Sequence, residues 1–210
     1  MDSRLFLPGW GAPTELYAPG LPASWHVLQP PSFAVSGGSF AAYRRWLELE
    51  LRGRGRSRLA GHSMGGALAI LAAAEMPELV EGLVLIAPAG LPLDKPVGQS
   101  LRDFLRQVAR GDYPQRLALR ALLPLARAPR SALALARHVR ALDLRRECVR
   151  VRAARIPTLV IGCVSDTLVT THRTRALADA LGARYEELDL AGGHMWMLAD
   201  RARLATAISG

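Results

Sequence analysis

Gly61-His62-Ser63-Met64-Gly65 has the Gly-x-Ser-x-Gly spacing of a sharp strand-to-helix turn with a serine at its apex. Arg58–Ala60 reads as the strand leading in, and alanine-rich Ala67–Glu75 as the helix leading out. Such a turn demands glycine two residues either side of the serine, where a side chain would clash. It exposes the hydroxyl and aims a helix N-terminus at it. The Met64 backbone N–H would then face an oxyanion forming on a substrate carbonyl. The chemistry implied is attack of the Ser63 hydroxyl on an acyl group.

A serine hydroxyl is a weak nucleophile and needs a base, which in turn needs an orienting acid. Five histidines are available: His26, His62, His138, His172 and His194. His62 lies inside the elbow, and its side chain is expected to point away from the site. His138 sits in an arginine-flanked helical pattern, as a surface or cap residue. His26 and His172 lack a turn that would expose them at a strand end. His194 follows a strand and Gly192-Gly193, on a loop able to reach across a sheet, and is the expected base. Asp166 follows the strand-like run Leu159–Ser165 and is the expected acid. Asp179 falls within a helix pattern, and Asp189 lies in a strand only five residues before His194.

The elements that must position these residues alternate. Strands are expected at Arg4–Leu7, Trp25–Gln29, Arg58–Ala60, Leu83–Ala87, Pro157–Gly162 and Arg184–Leu190. Phe40, Tyr43, Leu47 and Leu51 recur at helical spacing; further helices are expected over Thr174–Leu181 and Leu198–Ile208. Alternating strands and helices imply a parallel sheet with helices on both faces. Between Leu91 and Arg155 the pattern is helix after helix with no strand: Leu101, Phe104, Leu105 and Val108 mark one, Arg116–Leu123 a second, Ala132–Leu142 a third. This segment reads as a cap inserted into a core made of residues 1–90 and 156–210.

The order Ser63, Asp166, His194 along the chain is the order found in α/β-hydrolases. With the elbow and the strand–helix alternation, the chain resembles an esterase- or lipase-like α/β-hydrolase over nearly its whole length. The resemblance implies a three-layer fold with a mostly parallel sheet. Pro8-Gly9-Trp10-Gly11 resembles the family's oxyanion loop, with proline where histidine is usual, and by that likeness the Trp10 backbone N–H is the second oxyanion donor. The acid loop departs by one residue, since three residues separate Gly162 from Asp166, which a bulge would absorb. The family's two leading antiparallel strands have no counterpart before Arg4. The sheet is therefore expected to have six strands, all parallel, with the Trp25 strand at an open edge that a second subunit or a loop would cover.

The implied activity is ester hydrolysis through an acyl-enzyme. Thioesters, carrier-linked esters and carbon–carbon bonds are alternatives on the same residues, and a non-catalytic small-molecule-binding relative is another. Trp10, Met64 and Trp196 are expected beside the substrate, Trp196 as a pocket wall, with leucines 101, 105, 117, 119, 122, 123, 125, 133 and 135 and Phe104 of the cap available for packing or for an apolar pocket.

Charge and composition narrow the field further. The net charge is +9 over 210 residues, and residues 91–155 hold 15 Lys/Arg against 5 Asp/Glu, so the excess belongs to the cap. A solvated arginine face is the plain reading; an acidic carrier protein or anionic substrate and an anionic lipid surface are the others. Nucleic acid is disfavoured because no recognition fold accompanies the charge. No apolar run is long enough to span a bilayer and no secretory signal is visible. Cys148 and Cys163 form no metal pattern, so a reducing cytoplasm is expected. No zinc-type cluster or phosphate-loop pattern occurs, and neither metal nor organic cofactor is expected.

Overall fold

Leu5 and Leu7 project to one side of their strand and Phe6 to the other, and the same alternation repeats across the sheet. Leu59, Leu83, Leu85 and Val160 join the leucines in one buried cluster. Ala60, Val84, Ile86 and Ile161 join Phe6 in a second. A sheet apolar on both faces must be covered on both. In the computed structural model the described residues are 3–93, 98–99, 102–103, 106, 120 and 123–209. Six strands, β1 (Ser3–Leu7), β2 (Trp25–Val27), β3 (Ser57–His62), β4 (Val80–Ile86), β5 (Thr158–Cys163) and β6 (Arg184–Leu188), form one sheet in the order β2-β1-β3-β4-β5-β6. Every neighbouring pair is parallel, and β2 is an edge as expected.

The first face is covered by α1 (Phe33–Ser36), α2 (Phe40–Arg54) and α3 (Met64–Glu75), joined by α4 (Pro129–Ala141), α5 (Arg145–Ala153) and α6 (Thr171–Leu181). The stripe Phe40, Tyr43, Leu47, Leu51 on α2 is buried, as its spacing predicts. α3 is apolar all round because it packs on β1, β3 and β4 while touching α2 and α5. The second face is covered by Leu16, Tyr17 and the C-terminal α7 (Trp196–Ala199) and α8 (Arg201–Ser209). α1 is an addition to the expected elements: the Ser32 hydroxyl accepts from the Val35 N–H, and Gly37 ends the turn with φ 59°.

Among the described residues between Leu91 and Arg155 there is no strand. α4 packs on α1 and α2, whereas α5 packs on α3 and α6 with Cys148 and Val151 in the core. Side chains of both helices, Ala132 and Leu135 of α4 and Cys148 and Val151 of α5, lie in the cluster that covers the first face. The helices expected around Leu101–Val108 and Arg116–Leu122, with Phe104 and leucines 101, 105, 117, 119 and 122, lie outside the described residues. No described helix is long and apolar enough to cross a membrane.

The strand registers carry the site. Leu7 pairs with Gly61, His62 with Ile86, and Cys163 with Leu188. The loops that follow β1, β3, β4, β5 and β6 thus emerge together at the carboxyl end of the sheet, where ligands bind in open α/β folds.

Candidate active site

Ser63 takes φ 52° and ψ −115°, a region that non-glycine residues rarely enter. The flanking glycines show what holds it there. A Cβ on Gly61 would lie 2.5 Å from the Gly65 carbonyl oxygen, one on Gly65 2.1 Å from the Leu7 oxygen, and one on Gly66 2.8 Å from the Pro88 ring. β1, the elbow and the β4 loop press together with no room for side chains. The Ser63 N–H donates to the Ile86 carbonyl at 3.0 Å, and the Ser63 carbonyl accepts from Ala67 at 3.2 Å and Ala89 at 3.0 Å. Met64 opens α3, so its N–H belongs to the set a helix leaves without an intrahelical partner. Its side chain is buried in the core.

Asp166 and His194, 28 residues apart in sequence, meet at 2.7 Å between Oδ2 and Nδ1, both buried. A carboxylate accepts, so Nδ1 of the neutral ring carries the hydrogen and Nε2 does not. The other carboxylate oxygen accepts from the Leu168 N–H at 2.8 Å and the Val169 N–H at 2.9 Å. The extra residue of the acid loop is absorbed by a turn: the Asp166 N–H donates to the Cys163 carbonyl at 3.0 Å while Val164 is turned outward. Ser165 locks this loop to the next one. Its hydroxyl donates to the Leu190 carbonyl at 2.6 Å and accepts from the Gly193 N–H at 3.1 Å.

His62 departs from expectation. Its ring does not point away; it lies 4.6 Å from the His194 ring, with Nε2 3.0 Å from the His194 carbonyl oxygen and Nδ1 2.8 Å from the Tyr17 hydroxyl. Burial first, and the nearby His194 second, hold its pKa well below the usual histidine value, so it is neutral. Burial pushes the Tyr17 hydroxyl well above its usual range. Among the other histidines, His138 is exposed and stacks on Phe40 at 5.1 Å, and His26 and His172 are exposed.

Ser63 opens on a cavity of about 350 Å³ whose described lining is mainly apolar, including Trp10, Leu125, Leu133, Val169 and Leu177. The Trp10 indole N–H donates to the Ala132 carbonyl of α4 at 3.1 Å and its ring lies 5.5 Å from Phe33, so it joins the loop after β1 to the helices above. Arg140 and Arg173 also line the cavity; their guanidiniums donate to the Leu93 and Pro92 carbonyls. Trp196 is no pocket wall. It is fully buried on the opposite face of the sheet, with Phe6, Val84 and Ile208. The Gly192-Gly193 turn, with φ of 99° and 57°, sends the chain back into the second core directly after His194. No cluster of metal-ligating side chains occurs among the described residues.

Residues 5–207 match the alpha/beta hydrolase family. The chain belongs to this family. Solved structures agree on the fold. An esterase from Exiguobacterium antarcticum superposes with a TM-score of 0.78 at 14% identity, covering 99% of this chain and 91% of that one. A bromoperoxidase from Bacillus anthracis gives 0.76 at 17%, covering 100% and 91%. A deformylase from Pseudomonas putida S16 gives 0.73 at 16%, covering 99% and 92%. A search of the curated proteins gives no match. These hydrolase-family relatives are similar in architecture and differ in named activity, so the reaction must be argued from the site itself.

Tyr17, His62, Ser165 and Arg140 were missed as site residues. Tyr17 and Ser165 match no motif, and His62 was visible only as the variable residue of one.

Proposed function

We propose that the protein is a serine hydrolase of carboxylic esters, with Ser63 as nucleophile, His194 as general base and Asp166 as its orienting acid. The observation that carries this reading is the buried 2.7 Å Asp166–His194 pair in the same carboxyl-end loop cluster as a strained serine that opens on an apolar cavity. Ser63 Oγ attacks the acyl carbonyl while His194 Nε2 takes its proton. The charge that develops on the carbonyl oxygen is received by the Met64 and Trp10 backbone N–H groups. The imidazolium then protonates the leaving alcohol. Water, deprotonated by the same nitrogen, releases the acid and restores Ser63. Because Asp166 is already held by two backbone N–H groups, its carboxylate is fixed before substrate arrives.

The apolar cavity favours a small to medium apolar acyl or alcohol group, flanked by Trp10. Carrier-linked acyl esters or thioesters are the second reading. Exposed Arg130 and Arg137 on α4, and Arg145, Arg146, Arg150 and Arg152 on α5, favour an acidic carrier protein. Buried free thiols at Cys148 and Cys163 fit a reducing, cytoplasmic setting, and the open β2 edge fits a homodimer.

The test is hydrolysis of p-nitrophenyl esters of increasing chain length by the wild type and by Ser63→Ala. Turnover by the wild type, lost in the variant, is expected. Equal turnover in both, or none in either across esters and thioesters, overturns the proposal. Salt-sensitive activity on a carrier-linked acyl group, absent on the free ester, would select the second reading.

A further inference from the structure

Tyr17, within the second apolar cluster, and His62, whose ring lies 5.8 Å from it, bury polar atoms at 0% and 2% exposure. Burying such groups is costly unless each polar atom has a partner. Here every one has, and the partners are in the site. The Gly9 N–H donates to the Tyr17 hydroxyl at 3.2 Å. Tyr17 lies 2.8 Å from His62 Nδ1, and His62 Nε2 lies 3.0 Å from the His194 carbonyl oxygen.

The direction of the chain is forced. An amide N–H at one end can only donate, and a carbonyl at the other can only accept. His62 therefore carries its hydrogen on Nε2, and Nδ1 accepts from the Tyr17 O–H. The Gly9 loop is fitted to this pair, since a Cβ on Gly9 would lie 2.8 Å from His62 Nδ1 and 3.3 Å from the Tyr17 oxygen. His62 is also the last residue of β3 and is bonded covalently to Ser63. The nucleophile, the base and the loop before Trp10 thus all meet at one imidazole.

We propose that Tyr17 and His62 are positioning residues that act as one hydrogen-bonded unit, keeping His194 and the Gly9–Trp10 loop in register with Ser63. The proposal rests on the assignment of His194 as base. Neither residue touches substrate. His62 sets where the backbone of His194 lies, and Tyr17 fixes the His62 tautomer while holding Gly9.

The experiment measures kcat and KM on a p-nitrophenyl ester, and the rate at which a fluorophosphonate probe labels Ser63. Melting temperatures verify that each variant is folded. Tyr17→Phe removes one oxygen and is expected to lower kcat and the labelling rate about tenfold, with KM within about twofold, since small misplacements of reacting groups cost up to about a hundredfold. In His62→Asn the amide is too short to reach the His194 carbonyl, and a loss of about a hundredfold is expected. His62→Gln can still donate to that carbonyl and is expected to recover most of it, to within about threefold of wild type. The double variant Tyr17→Phe/His62→Asn should be no slower than His62→Asn alone, because the two act as a unit. Wild-type rates in folded Tyr17→Phe and His62→Asn, or additive losses in the double variant, overturn the proposal. If His62→Asn does not fold, the His194 Nδ1 proton resonance decides: a resonance unchanged between wild type and Tyr17→Phe overturns it. A wild type that neither labels at Ser63 nor turns over any ester sinks the hydrolase reading instead, and the resonance still tests the coupling.

Discussion

Ser63 and His194 are held by different physics. The elbow is fixed by exclusion: three glycines sit where a Cβ would come within 2.1–2.8 Å of its neighbours. The His194 loop is fixed by attraction. Asp166 holds the ring, Ser165 holds Gly193 and Leu190, and His62 holds the His194 carbonyl. Exclusion is a property of a short stretch of sequence, whereas attraction here is assembled from three segments: the end of β3 and the loops after β5 and β6. The first should fail by loss of the fold and the second by loss of alignment.

The strongest break is on the attractive side. Asp166→Asn keeps the shape but can leave His194 in the wrong tautomer, and kcat should fall by about four orders of magnitude while the melting temperature changes little. Steady-state kinetics on a purified, folded variant check this; a loss of less than about tenfold would move the role of acid elsewhere. On the other side, Gly65→Ala drives a methyl into the Leu7 carbonyl, which is backbone and cannot swing aside. We expect destabilisation of more than about 3 kcal/mol, read as poor soluble yield or a lower denaturation midpoint. If the variant is stable but inactive, the elbow is less tightly packed than its contacts imply.

A milder change sharpens the contrast. Ser165→Ala removes one donor and one acceptor from the clamp between the acid and histidine loops, leaving the Gly193 N–H without its partner. It should cost about 1 kcal/mol of stability. It should also lower kcat several-fold with little change in KM, because it loosens the loop that carries His194. Equal stability and equal kcat would mean that Asp166 and His62 suffice.

The same contrast explains what could be read from sequence. The glycine pattern around Ser63, the six strands and the α2 stripe follow from local spacing, and a parallel sheet from the alternation of strands and helices; that every strand is parallel is what the family resemblance implies. Asp166 and His194 were legible because each follows a strand, and parallel strands bring such positions together. Trp196 lies close to His194 in sequence, which suggests closeness to substrate, yet its side chain is fully buried in the second core. The Gly192-Gly193 turn sends the next side chain into the second core instead. His62 shows the converse: a strand's last residue alternates in direction with its neighbours, but what it faces depends on Tyr17 and His194, 45 and 132 residues away. α5 shows how composition and packing part company: its arginines continue the basic pattern of the stretch before it, while its Cys148 and Val151 are buried in the core.

The smallest effect expected is a pH dependence of stability specific to His62. In the folded protein its pKa lies well below the usual value, first through burial and then through His194, while Tyr17 faces it as a neutral donor. In the unfolded chain it titrates near the ordinary value of about 6.5. Below that pH the unfolded chain takes up a proton that the folded protein refuses, so stability falls as pH falls from the unfolded value toward the folded one. Between pH 7 and 5.5 one such group removes about 1 kcal/mol. His62→Gln has no such group. Its denaturation free energy should therefore fall less over this interval than that of the wild type, by about that amount, with all shared titrations cancelling in the difference. Parallel pH profiles for the two proteins would mean that His62 accepts a proton in place, which the buried, fully occupied ring between Tyr17 and His194 argues against.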